Sequence, residues 1–471
     1  MLKKAENISR VLKEHKKIKL VSHIDADGIA SAAIASIALS RANIEHSVDF
    51  VKQLDSSIVE KLKNNNSELI WLTDLGSGMR EYLDDVNAVI TDHHQPSLRQ
   101  KRGNSLLAFY SSKDELELNP HFFQIDGATN ISGAGITYLV AKAMSKENTD
   151  LAPLAVVGAV GDLQDSAYRK LIGWNRYYIL EDCRELDAVD YFLDIRFFGR
   201  ETRPVFKLLE YANDPLIPTL SGREENCIRF LCDLGIALKI NEHWQRWIDL
   251  SQEEKQKIVS ELMFLLLSKG LGHRAASRVL GEVYVLKREL PGTELHDAKE
   301  FATLLNACGR YKFADVGYNV CLGNRAEYFE RARALLREHR KTLVDSIHFV
   351  AETEIVKREF LQYFNALDNI DEKIVGIVAG MVLNSGTVSR DLPLLALAHC
   401  EDGKQIKVSA RSTRDLVARG IDLAAAMKKG SAFVGGIGGG HDIAAGATIP
   451  KGSEEEFLNA VEKIIKEQIS P

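Results

Sequence analysis

Cysteine is scarce in this chain of 471 residues; six are present, at positions 183, 227, 232, 308, 321 and 400. Cys227 and Cys232 stand close together, but no second Cys or His pair completes a zinc pattern. The sequence therefore argues against a structural zinc and for buried free thiols in a reducing compartment. Long apolar runs are also missing. No stretch reaches the roughly 18 residues needed to span a bilayer, and the N-terminal MLKKAENISRVLKEHKK is charged and helical in pattern, without an apolar signal-peptide centre. A cytoplasmic protein with no membrane partner is expected. An excess of positive charge is lacking as well. With 60 Lys+Arg against 66 Asp+Glu, the net charge is -6. Any nucleic-acid partner must therefore be met by a local basic surface. There is no GxxxxGK[ST] loop, which argues against nucleotide hydrolysis by that route. Internal repeats are absent, and low complexity is confined to GGIGGG.

What remains is an ordinary globular composition, 45% hydrophobic and 27% charged. The length calls for two or three domains. In residues 1–185, short apolar strands alternate with helices. Strands are read at Ile18–Ser22, Ser47–Val51, Glu68–Thr73 and Ala88–Thr91. Helices are read at Ile29–Ala42, Ser56–Asn64, near Gly78–Asp84, Gly133–Ser145 and Ala152–Gly161. Strands of five or six residues separated by helices predict a doubly wound parallel sheet. Residues 186–342 mix aromatic and charged residues at helical spacing and read as a mostly helical insert, closing on a charged helix over 325–342. Residues 343–471 return to α/β. Strand-like runs occur at Ser346–Ala351, Ile374–Ala379, Leu392–Ala398 and Gln405–Ala410. A helix is read at Arg414–Lys429, a glycine-rich loop at Gly430–Gly440 and a closing helix at Glu454–Ile469. The fold class is thus α/β, with one α/β domain on either side of the helical insert.

The chemistry gathers where the N-terminal strands end. His23, Asp25 and Asp27 follow the first strand, Asp74 the third, and Asp92-His93-His94 the fourth, while Asp162 arrives on a helix in GAVGDLQD. A doubly wound sheet presents strand-end side chains to one crevice. Carboxylates and imidazoles converging there would repel one another, or require protons, unless cations lay among them. Mixed oxygen and imidazole donors suit Mn²⁺, with Mg²⁺ possible. Two such ions suit phosphodiester hydrolysis. Taken singly, each motif has a plainer reading: HxDxDG is often only a capped turn, and His-His pairs are common on surfaces. Their joint order favours metal.

These blocks resemble the DHH phosphoesterase superfamily, in particular its RecJ-like nucleases of archaeal type. The matching stretches are HIDADGI, TDLG, DHH, VGAVGDLQD, LNACGR, VSARST and GGIGGGHDIAAG, and they cover most of the chain. The resemblance implies that His23, Asp25 and Asp74 serve one metal and that Asp27, Asp74, His93 and Asp162 serve the other. His94 would then face the scissile phosphate, and Asp92 would support its neighbours. Pyrophosphatase-like members usually place three residues between the first His and the first Asp. Here only Ile24 intervenes, which supports the nuclease branch and changes the reach of His23.

At the C-terminal end, Gly438, Gly439, Gly440 and His441 read as a phosphate-approaching loop. A dinucleotide-binding reading fits poorly, because AAGATIP looks like a strand. The resemblance adds Arg411-Ser412 as nucleic-acid contacts and implies that the two α/β domains face each other across a groove. Arg310 is a further candidate, with a structural salt bridge as its alternative, and Arg390 and Arg414 read as solvated surface. The implied activity is a single-strand-specific exonuclease, 5′→3′ on DNA, in replication or repair and associated with the replicative helicase through GINS. The alternatives are hydrolysis of RNA, short oligonucleotides or cyclic dinucleotides, or a replisome scaffold.

Overall fold

The computed structural model of the chain describes residues 1–64, 69–97, 116–212, 214–385 and 387–469. These group into two compact units, Met1–Leu336 and Arg337–Pro471. Unit one opens with α1 (Leu2–Lys13), β1 (Lys17–His23), α2 (Ala26–Arg41), β2 (Glu45–Val51), α3 (Ser56–Lys63), β3 (Leu69–Thr73), β4 (Ala88–Thr91) and β5 (Glu117–Leu118). Glu68, the first residue of the expected third strand, lies outside the described residues. The strands form one sheet in the order β2-β1-β3-β4-β5, every pair parallel. Every residue of β3 and β4 is buried, as a sheet covered on both faces requires. Between β1 and β3 the winding reverses direction, which opens a crevice at the strands' carboxyl ends.

Small residues let helices stack tightly over this sheet. Ala-rich α2 packs against α4 (Gly133–Met144) and α5 (Ala152–Gly161), and almost all of its length is buried. After α6 (Glu181–Glu185), β6 (Val189–Ile195) begins an excursion through α7 (Val205–Glu210), α8 (Glu224–Asp233), β7 (Lys239–Ile240), β8 (His243–Trp244), α9 (Gln252–Ser268) and α10 (Gly272–Ser277). It returns on β9 (Leu280–Leu286), which pairs antiparallel with β6 from Val189↔Leu286 to Ile195↔Leu280. The region is helical as expected, but a two-stranded ribbon closes it. The strand VDYFLDI mixes charge with aromatics and hid among helical neighbours. The excursion has its own core around Trp247, Ile258, Leu262 and Leu266. Then α11 (Ala298–Arg310) and α12 (Ala314–Cys321) pack back on α2.

The long charged helix is α13 (Glu327–Glu352). Unit two continues with β10 (Val356–Lys357), β11 (Gln362–Leu367), α14 (Val375–Ser385), β12 (Leu394–His399), β13 (Gln405–Arg411), α15 (Arg414–Ala418), α16 (Leu423–Phe433), β14 (Ile437–Gly440), β15 (Ala444–Pro450) and α17 (Glu454–Ile469). Its sheet order is β10-β11-β12-β13-β15-β14. Four expectations change here. Ser346–Ala351 is the end of α13 and Ile374–Ala379 the start of α14; both are short apolar runs, which periodicity cannot assign to strand or helix. The expected helix Arg414–Lys429 breaks at Gly420, whose φ of +105° ends α15, and Asp422 caps α16 anew. The glycine-rich loop is mostly not a loop. Ile437–Gly440 is the edge strand β14, paired with β15 from Ile437↔Thr448 to Gly440↔Ala445.

Candidate metal centre

The end of β1 is pinned before any donor is placed. Ser22 Oγ donates to the Gly28 carbonyl at 2.7 Å, and Thr73 Oγ1 on the neighbouring strand donates to Ser22 Oγ at 2.7 Å. Asp25 caps α2 by accepting from the Gly28 amide at 3.0 Å. Gly28 lies so close to His23 that an added Cβ would stand 2.3 Å from the His23 carbonyl oxygen. This contact folds His23, Asp25 and Asp27 into one tight corner.

Asp74 follows β3 with a φ of +59°, a left-handed conformation that Asp tolerates better than most residues. Its carboxylate is 1% exposed. Among the described residues neither oxygen accepts a well-formed hydrogen bond. His93 Nε2 at 3.3 Å, His23 Nδ1 at 3.6 Å and His94 Nδ1 at 4.0 Å stand around it. A buried carboxylate without donors fits a cation between its neighbours. Asp27 is held differently. The amides of Gly133 and Ala134, at the start of α4, donate to it at 2.6 and 3.0 Å, so the helix N-terminus supports its charge.

His93 donates from Nδ1 to the Gly127 carbonyl at 2.8 Å. Its Nε2 therefore faces Asp74, Asp162 at 3.7 Å and Asp27 at 3.8 Å. The Gln164 amide bridges the Gly127 carbonyl, at 2.8 Å, and Asp162, at 3.1 Å. Asp92 accepts from His94 Nδ1 at 2.8 Å and from the Ser77 amide at 2.8 Å. Three sets of donors can each hold a cation: His23-Asp25-Asp74, Asp27-His93-Asp162 and Asp74-His93-His94, with donor atoms within 4.8 Å of one another in each set. Of the eight strand-end and helix-end residues singled out in the sequence, seven belong to these sets, and the eighth, Asp92, holds His94.

The electrostatics record what so many anions demand. Burial opposes a proton on His23, but Asp25 and Asp74 outweigh it and push the imidazole up to about 11. His93 is raised well above its ordinary value, with Asp74 again overcoming burial. His94 is pushed up to about 9, chiefly by its hydrogen bond to Asp92. Burial and then Asp74 raise Asp27, and burial raises Asp162 to about 6 despite His93. Protons collect where positive charge is wanted, which is the requirement a divalent cation meets.

Sequence reasoning missed the residues that make the cluster close. A Cβ on Gly133 would lie 2.4 Å from Asp74 Oδ1, and one on Gly158 2.4 Å from Asp27 Oδ1. The signal available was NISGAG, a Ser cap followed by two glycines at a helix start. Asn306 on α11 accepts from the Ala26 amide at 2.9 Å. Gly309, one turn on, presses against the Ile24 carbonyl. The motif LNACGR is therefore part of the corner and brings Arg310 into electrostatic range of Asp25.

Family models match the DHH family, N-terminal domain, at residues 17–159, the DHH-CID domain at 197–280 and the DHHA1 domain at 360–467. An uncharacterized protein of Methanocaldococcus jannaschii is 31% identical over 478 residues, covering 99% of each chain. The chain belongs to the DHH family. Among solved structures, CDC45 from Entamoeba histolytica has a similar fold at TM-score 0.67 and 14% identity, over 99% of both chains. RecJ in complex with Mn²⁺ from Thermus thermophilus follows at 0.58 and 16%, over 99% of this chain and 55% of that one. The architecture is RecJ-like, and members of the DHH family are metal-dependent phosphoesterases.

In unit two of this DHH protein, Arg411 is mostly buried and its pKa is lowered by that burial. Its guanidinium lies beside Gly376 and Gly380 of α14, and its Nη1 donates to the Ala410 carbonyl at 2.9 Å. Ser412 Oγ is buried without a hydrogen-bond partner among the described residues. On β14, Gly438 and Gly440 lie against backbone, where a Cβ would come within 2.5 Å of the Met427 carbonyl and 2.6 Å of Ala445 Cα, while Gly439 faces open space. His441 turns the edge strand toward β15 by donating its amide to the Ala444 carbonyl.

Proposed function

We propose that this protein is a two-metal exonuclease that removes nucleotides from single-stranded nucleic acid, 5′→3′ on DNA, and works beside the replicative helicase through GINS. The observation that carries the nuclease reading is the pair of donor sets, His23-Asp25-Asp74 and Asp27-His93-Asp162, lying side by side with Asp74 also between His23 and His93. His23, Asp25 and Asp74 would hold one divalent cation, Mn²⁺ or Mg²⁺, and Asp27, Asp74, His93 and Asp162 the other. Bound there, the pair supplies an activated water and offsets charge on the phosphoryl oxygens.

The chain's own groups do the rest. Because a carbonyl can only accept, Gly127 fixes the proton of His93 on Nδ1 and leaves Nε2 free to donate a lone pair. Asp92 likewise holds the His94 proton on Nδ1 and turns the half-exposed ring outward, where it contacts the scissile phosphate. Arg310 lies near Asp25 and neutralises phosphate at the site's edge. Arg411, Ser412, Gly438, Gly439, Gly440 and His441 form the nucleic-acid surface of a C-terminal domain over 343–471, with the catalytic domain over 1–185 and a partner-binding region over 186–342. A pure scaffold could lose its donors; here all of them are kept.

Single-stranded DNA and RNA, labelled at each end in turn, are to be digested side by side with Mn²⁺ or Mg²⁺. Metal-dependent mononucleotide release from the 5′ end of DNA is expected, with loss in Asp25→Ala and Asp27→Ala. Release from RNA alone, or from the 3′ end, would revise substrate or polarity, and no release from either polymer would sink the reading.

A further inference from the structure

The segment that braces the two DHH histidines also carries two exposed aromatic rings. Asn119 Nδ2 donates to the His94 carbonyl at 2.9 Å and to Ser77 Oγ at 2.8 Å. Eight residues on, the Gly127 carbonyl holds His93. A Cβ on Gly127 would lie 2.0 Å from the His93 carbonyl oxygen and 3.1 Å from His121 Nε2, so the intervening chain is pressed onto the histidine pair. Between these anchors runs a 3₁₀ turn, Pro120–Phe123, capped by the Asn119 side chain, which accepts from the His121 amide at 2.9 Å. Proline at its first position presets the backbone, and Gln124 ends it in a left-handed conformation, φ +58°. At about 2 Å rise per residue, the turn carries Phe122 only about 6 Å beyond Asn119.

Phe122 is 54% exposed and Phe123 40%. Leu163, directly after Asp162 and held at φ +58°, is 64% exposed. Gln164 ties that second segment to the same Gly127 carbonyl. Large apolar side chains scattered singly over a surface need no explanation. Two phenyl rings and a leucine on rigid, hydrogen-bonded turns beside a charged centre are a different arrangement, because each is held out by a segment whose other end grips a metal-donor residue or its neighbour.

We infer that Phe122 and Phe123, with Leu163, form a platform that stacks the base of the nucleotide whose phosphate the centre receives. The inference rests on the nuclease reading above and makes it narrower: the substrate is recognised by its base as well as its phosphate, without sequence preference, since every base has a face to stack. A phosphate ester lacking a base gains nothing from these rings.

The test is a double-mutant cycle between protein and substrate. Single-stranded oligonucleotides with a normal or an abasic terminal nucleotide are cleaved by the wild-type protein and by Phe122→Ala/Phe123→Ala, with Phe122→Tyr as the conservative variant. Removing the base is expected to lower kcat/KM of the wild type by roughly tenfold, the scale of one base–aromatic stack. The double alanine variant loses about as much on the normal oligonucleotide and little more on the abasic one, and Phe122→Tyr retains the wild-type preference. Binding of the two oligonucleotides in EDTA, followed by fluorescence anisotropy, is expected to show the same non-additivity without turnover, and circular dichroism checks the fold. Equal discrimination against the abasic end by wild type and double variant would overturn the platform while leaving the nuclease reading intact. Failure of the wild type to cleave any oligonucleotide would overturn both.

Discussion

Asp92 shows how little a residue's identity says until its neighbours are placed. Its two oxygens are divided between His94 and the Ser77 amide, so it acts on the site by orienting an imidazole. Asp92→Asn keeps the shape and loses the charge. It is expected to cost about 10–100-fold in activity, the range for partners of metal-site histidines, with the fold retained; steady-state kinetics beside a thermal melt would check this. Gly133 works by having no side chain. In Gly133→Ala the new methyl would enter the space of Asp74. Mn²⁺ affinity, measured by calorimetry, is expected to fall sharply, while stability drops by only about 1–3 kcal/mol, as overpacking does. The His and Asp donors were legible because charged groups at the ends of apolar runs are conspicuous. Gly127, Gly133 and Gly158 were not, because their roles exist only once residues far apart in sequence touch.

Among the elements, α11 carries the most information. Read from sequence, LNACGR offered an arginine; in the fold its asparagine and glycine lock α11 onto the Ile24–Ala26 corner. Asn306→Ala would leave the buried Ala26 amide without its acceptor. That is expected to cost about 1–3 kcal/mol in a urea melt and, by loosening Asp25, to weaken Mn²⁺ binding in the same protein. The elements misread were the ambiguous ones. SIHFVA and IVGIVA could be strand or helix until α13 and α14 had neighbours to pack against, and IGGG became a strand because β15 offered a ladder to pair with.

For the molecule as a whole, the donor cluster couples metal, protons and folding. His23 and His94 hold protons up to about 11 and about 9, against an ordinary 6.5. The stability they contribute is complete below about pH 6.5 and is lost as pH rises through those higher values. Asp162, raised to about 6 by burial with Asp74 and Asp25 adding, works in the same direction, because ionising it strains the folded state. In EDTA the melting temperature is therefore expected to fall between about pH 6 and pH 9. Saturating Mn²⁺ is expected to flatten that slope and, at about 100 times its Kd, to add roughly 2.7 kcal/mol. Differential scanning calorimetry with and without the cation decides it, and an unchanged slope would argue against metal at this centre.

The sequence by itself determined the alternating strand–helix order of the N-terminal region and picked out the candidate donors, because hydrophobic periodicity and charge at strand ends are local properties of the chain. Only the tertiary structure decided that seven such groups meet, since the parallel order β2-β1-β3-β4 brings the carboxyl ends of strands far apart in sequence to one edge. It alone also decided how Asp74 comes to be buried without a hydrogen-bond donor among the described residues, and which glycines make room for it. Those are matters of distance between segments, and distance across a fold is not written in the order of residues.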